Sequence, residues 1–139
     1  MSVHISTTYR GGLRCESTHG PSQSQLLTDA PADNMGKGEA YSPTDLVATA
    51  LATCMATTMG IYAQRHEIDL RGMAVAVEKE MSKDGPRRIA QLTVELHVPL
   101  SESHPHREAV ERAALTCPVA KSLHPDVALP VKFVWSDPR

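Results

Sequence analysis

Leu46 to Ala63, LVATALATCMATTMGIYA, runs for eighteen residues without a charge. Whatever fold the chain adopts has to cover that stretch. Eighteen residues is about the lower limit for a helix that crosses a bilayer. The composition argues against a span, because four Thr and five Ala stand beside only four strongly lipophilic residues, Leu46, Val47, Leu51 and Ile61. The stretch reads instead as a helix buried in protein. Ser42 is its expected N-cap, Pro43 lies near its start, and Asp45 falls in the first turn, where a carboxylate suits the helix dipole. The helix is expected over 43–66.

Apolar or small residues surround this helix on nearly every side, and Thr49, Thr53 and Thr57 form its only polar stripe. A helix of that kind is central to its fold. One sheet shields one side of it and an amphipathic helix part of the rest, so a second copy of the chain is the economical source of the remaining cover. A homodimer is therefore expected, its long helices packing through the small residues Ala48, Ala52, Ala56 and Gly60.

The remaining elements follow from periodicity. Residues 1–28 read as short strands, with Val3 and Ile5 alternating, turn signals at Gly11-Gly12 and His19-Gly20-Pro21, and a further strand over Ser24 to Thr28. Residues 29–42, DAPADNMGKGEAYS, have no apolar period and form a long loop, a solvated connector or a lid. Residues 73–98 alternate on either side of Lys83-Asp84-Gly85-Pro86, which predicts an antiparallel hairpin with one buried face. A second helix is expected over 104–117, capped by Ser103 and broken by Pro118, and a final strand over 130–135. The sum is a single α+β domain of 139 residues.

Charge and composition remove several function classes. The net charge is −2, no basic run exceeds Arg87-Arg88, and aromatic residues make up 4% of the chain. Neither nucleic acid nor an anionic membrane is an expected partner. Three cysteines, Cys15, Cys54 and Cys117, are too few and too far apart for a disulfide framework. The chain opens on alternating polar residues rather than a signal segment, so the expected location is the cytoplasm, with thiols that start out reduced.

Cys54 lies in the middle of the buried helix and Cys117 at the Pro118-broken end of the second. Each taken alone reads as a small buried hydrophobe. Their surroundings add more. The stretch SPTDLVATALATCMATTMGIYAQRHEIDL, then a hairpin, then LTCPVAKSLHPDV, resembles the OsmC/Ohr family of peroxide-reducing proteins, over about two thirds of the chain from Ser42 to Trp135. A helix-borne Cys, the hairpin and a later Cys-Pro occur in the family's order.

The resemblance implies an intertwined homodimer, with antiparallel sheets wrapped around two central helices and active sites at the interface. It implies that Cys54 is the peroxidatic cysteine and Cys117 the resolving one. Thiolate attack on an organic hydroperoxide would leave an alcohol and a sulfenic acid, which condenses with the second Cys to a disulfide. An external dithiol reduces that disulfide, and no bound cofactor is required. A thiol redox sensor or small-molecule-binding relative without efficient turnover is the alternative.

The attacking thiol needs help that can be sized. At an ordinary pKa of ~8.5 a thiol is about 3% ionised at pH 7. Lowering it by ~2.5 units costs ~3.4 kcal/mol, roughly what one cation at about 4 Å supplies at an effective dielectric near 20. The family places an arginine and a carboxylate beside the peroxidatic Cys. The carboxylate matches Asp45; the arginine is Arg14 or Arg10, with Arg14 favoured. Nine residues of helix separate Asp45 from Cys54 by about 13.5 Å and half a turn, so Asp45 is expected to serve Cys54 of the partner subunit by holding its arginine.

Other residues carry weaker signals. His97, His104 and His106 are the best metal-like cluster but lack a closely spaced third ligand, so no metal site is expected. Cys15 reads as incidental, and His124 as a turn residue before Pro125 with a possible influence on Cys117. Met55, Met59 and Ile61 are the expected lining of an apolar substrate pocket.

Overall fold

A computed structural model describes residues 1–138. The chain falls into two compact units, the first Met1–Val47 and the second from Ala48 onward. In the first, strands β1 (Ile5–Gly11), β2 (Arg14–His19) and β3 (Gln25–Asp29) form an antiparallel sheet in that order. The β1–β2 turn needs three consecutive residues with positive φ, Gly11, Gly12 and Leu13, and the two glycines adopt it without the Cβ clash that others meet. β3 runs inward, with Thr28 and Asp29 buried at its end.

The long loop that follows is ordered by its own hydrogen bonds. It contains one 3-10 turn, Ala32–Asn34. The buried Asp29 carboxylate accepts the Glu39 amide at 3.1 Å, and the Asp29 amide donates to the Tyr41 carbonyl. Gly36 passes so close to Ala30 that a Cβ would sit 1.8 Å from the Ala30 carbonyl oxygen, so no other residue fits without moving the backbone.

Helix α1 (Pro43–Arg65) starts at a reciprocal cap. The Ser42 amide donates to Asp45 Oδ2 at 2.9 Å, and the Asp45 amide donates to Ser42 Oγ at 3.1 Å. By length and composition α1 would also pass for a membrane span, with a mean hydropathy of 1.5 in its most apolar window. Within its polar stripe, Thr53 Oγ1 donates to the Thr49 carbonyl at 2.8 Å.

In the second unit, β4 (Ala74–Met81) and β5 (Ile89–Pro99) make the expected antiparallel hairpin. Leu92, Val94, Leu96 and Val98 along one face of β5 are fully buried. They meet Leu51, Met55 and Met59 of α1 in the core, with Val110, Ala114 and Cys117. The final strand, β6 (Val131–Ser136), pairs with β5 in parallel, so this sheet is mixed rather than wholly antiparallel. The reason lies in the connection: helices α2 (Arg107–Leu115) and α3 (Pro118–Ser122) form a crossover of the length that parallel strands require.

Two expectations change. The second helix runs over Arg107–Leu115 rather than 104–117, and its N-cap is His106, without a side-chain cap bond, rather than Ser103. His104 precedes Pro105, which disfavours helical backbone there, and the chain makes turns through His104 N–H to Ser101 and Arg107 N–H to His104. As expected, the chain by itself does not enclose α1 on every side. Ala48, Leu51, Ala52, Met55, Met59 and Ala63 are buried, while Thr53, Thr57 and Ile61 are exposed. Lastly, because Ala48 and Ala52 are covered by their own chain, only Ala56 and Gly60 of the small-residue stripe stay partly accessible.

Candidate thiol site

Cys54 sits deep in α1, half-buried, and packs against the core. Thr58 Oγ1 donates to the Cys54 carbonyl at 2.7 Å. Cys117 is reached differently. The Cys117 amide donates to the Ala114 carbonyl as α2 ends. Pro118 then pushes Cys117 into extended backbone, φ −64° and ψ 149°, and occupies the first turn of α3, where a missing N–H costs nothing. This places Cys117 as the N-cap of α3, with the Ala120 amide donating to Cys117 Sγ at 3.5 Å.

The two thiols meet. Both are free, Cys54 packs against the core cluster that holds Cys117, and the Cys54 thiol acts directly on that of Cys117. Cys117 has no solvent exposure at all. Burial pushes its thiol above the ordinary range and the contact with Cys54 adds to that, while the Ala120 and Val119 amides pull the other way. Chemically, this is a reduced pair in contact, one residue partly exposed and the other enclosed.

The other expected site residues lie in the first unit. Arg14, at the start of β2 and opposite Asp29 in register, is ion-paired with Glu39 at 2.9 Å. Arg10 faces Glu16 at 3.8 Å and is more exposed. Asp45 closes the helix cap with Ser42. Sequence reasoning missed Glu39, since an aperiodic loop gives no register in which to place a carboxylate.

The histidines regroup. His97 pairs with Glu95 at 2.6 Å instead of joining His104 and His106. His66 takes its place: its ring lies 4.8 Å from that of His106 and stacks on Tyr62, whose hydroxyl is 2.6 Å from His106 Nδ1. The four-residue step from Tyr62 in the last turn of α1 to His66 just beyond its end was the available signal. Among the described residues, no three His, Cys, Asp or Glu side chains are arranged to hold a metal ion. His124 is exposed and accepts the Asp126 amide, a turn role. Cys15 lies in β2 between Tyr9 and Thr28 of the neighbouring strands.

The expected pocket lining is corrected too. Met55 and Met59 are 1% and 0% exposed and fill the core, because their unbranched side chains meet β5 rather than solvent. An open groove of about 570 Å3 in the second unit is lined by Ala56, Gly60, Ala63, Ile68, Leu70 and Met73 among others, and neither Cys54 nor Cys117 reaches it.

The family model for OsmC-like protein matches residues 36–132. The chain belongs to the OsmC-like family. Among solved structures, this OsmC-like chain is similar to a Psychrobacter arcticus 273-4 protein provisionally assigned to osmotic stress induction and detoxification response. The two are 44% identical, with a TM-score of 0.88 and 94% of each chain covered. The fold is shared with an organic hydroperoxide resistance protein OsmC from Legionella pneumophila, at 18% identity, a TM-score of 0.73 and 96% of each chain covered. It is shared also with an organic hydroperoxide resistance protein from Elizabethkingia anophelis, at 12% identity, a TM-score of 0.78, and 98% and 97% of the two chains covered. No curated protein matches the sequence significantly.

Proposed function

We propose that this OsmC-like protein is a thiol-dependent peroxidase that reduces organic hydroperoxides to alcohols. The observation that carries the reading is the contact between a partly buried Cys54 on α1 and a fully enclosed Cys117 at the α3 cap. Cys54 thiolate attacks the terminal, hydroxyl-bearing oxygen of the hydroperoxide, the O–O bond breaks, and the alkoxide leaves and takes a proton. The Cys54 sulfenic acid then condenses with Cys117, releasing water and forming a disulfide. An external dithiol returns both thiols. Arg14 and Asp45 are the proposed activating charges, in a cytoplasmic homodimer with its active sites at the interface.

Two neighbours in fold bear the name organic hydroperoxide resistance protein, and the 44%-identical one is assigned to detoxification response. Those names agree with the chemistry that two touching thiols permit. Steady-state turnover of cumene hydroperoxide with a dithiol is the test. Cys54→Ser should abolish it, by at least about a thousandfold, as expected for loss of a nucleophile. Activity retained in that variant would overturn the assignment. Stoichiometric oxidation of the wild type without repeated turnover would make the protein a sensor instead.

A further inference from the structure

We infer that the reducing dithiol attacks the Cys54 sulfur of the disulfide and that Cys117 is the leaving group. The inference rests on the peroxidase reading above and specifies which sulfur of its disulfide the reductant meets.

Access is the first argument. Displacement at sulfur needs the incoming thiolate in line with the S–S bond, on the far side of the sulfur attacked. Cys54 keeps partial exposure, whereas Cys117 is fully enclosed, in the same core cluster as Val110 and Ala114, so a reductant from solvent meets Cys54 first. The second argument concerns where charge goes. Cys117 Sγ already accepts the Ala120 amide, so a thiolate expelled there finds a donor in place that offsets part of the cost of its burial.

The step balances as follows. One thiol of a dithiol reductant ionises and its sulfur bonds to Cys54 Sγ as the Cys54–Cys117 bond breaks. Cys117 leaves with the electron pair and takes up a proton. The second thiol of the reductant then attacks the reductant's own sulfur in the mixed disulfide and expels Cys54 thiolate. Two electrons pass from the dithiol, now an intramolecular disulfide, to the two protein thiols. A monothiol lacks that second sulfur, and its adduct on Cys54 lies against Cys117, which re-forms the disulfide.

The full chain is oxidised in two arms, with cumene hydroperoxide and with diamide, given a short pulse of 2-mercaptoethanol, quenched in acid, and alkylated with N-ethylmaleimide after denaturation. Peptide mass mapping should place the mercaptoethanol adduct on Cys54 at least tenfold over Cys117, with the maleimide on Cys117. An adduct on Cys117, or an even distribution, overturns the inference. If diamide links the cysteines and hydroperoxide does not, the peroxidase reading falls while the adduct map still decides the inference. If neither oxidant links them, both fall.

Discussion

The Cys117 thiol combines full enclosure, an amide donor at 3.5 Å and contact with Cys54. Its raised thiol pKa, caused first by burial, has a consequence for stability with a definite sign. A thiol held neutral in the fold favours the fold below the unfolded thiol value of about 8.5, and that contribution is lost as pH rises through the folded value. Urea midpoints of the reduced protein should therefore fall more steeply above about pH 8.5 than those of Cys117→Ala. Parallel slopes would remove burial as the dominant influence. At this scale the nearness of Cys54 and Cys117 was legible only through the family resemblance, because the spacing of each Cys alone reads as a small buried hydrophobe. The partner of Arg14 was not, because Glu39 is placed by the Asp29 carboxylate and the tight Gly36 approach, contacts that leave no periodic trace.

Among the elements, α1 and the hairpin were readable because each repeats one rule over many residues: a charge-free run behind a Ser42 cap, and alternation on both sides of a Gly-Pro turn. The start of α2 misled, since Ser103 has the chemistry of a cap but the His104-Pro105 step bars helical backbone beside it. The parallel placement of β6 was hidden for a different reason, because alternation within one strand carries no information about its neighbour's direction. The reciprocal Ser42–Asp45 cap invites its own measurement. Ser42→Ala should lower stability by about 1 kcal/mol, read from thermal or urea unfolding, and should do so without changing the rate at which Cys54 is alkylated. A change in that rate with unchanged stability would show that the cap serves the thiol rather than the helix.

For the whole molecule, the exposed side of α1 and the strands of the first unit bear on assembly. Ile5, Tyr9, Leu26, Leu27 and Ile61 are all between 44% and 63% exposed. Scattered apolar surface is ordinary, but a dimer through α1 was expected from sequence, and it makes a direct prediction. Sedimentation should give twice the 15.1 kDa chain mass, and Ile61→Asp should shift the equilibrium toward monomer by roughly tenfold or more, the cost of desolvating one charge in an apolar contact. A monomer at micromolar concentration would exclude that assembly.

The two thiols that touch in the fold stand about sixty residues apart along the chain, with the whole β4–β5 hairpin and α2 between them. A covalent link at that separation removes a great many conformations from the unfolded chain while asking little of the folded one, an entropic effect of about 4 kcal/mol. In the proposed cycle oxidation and unfolding would thereby be coupled: the form that would accumulate when peroxide outruns the reductant is also the form that would resist denaturation, so an oxidised pool would outlast the conditions that create it and wait, folded, for its dithiol.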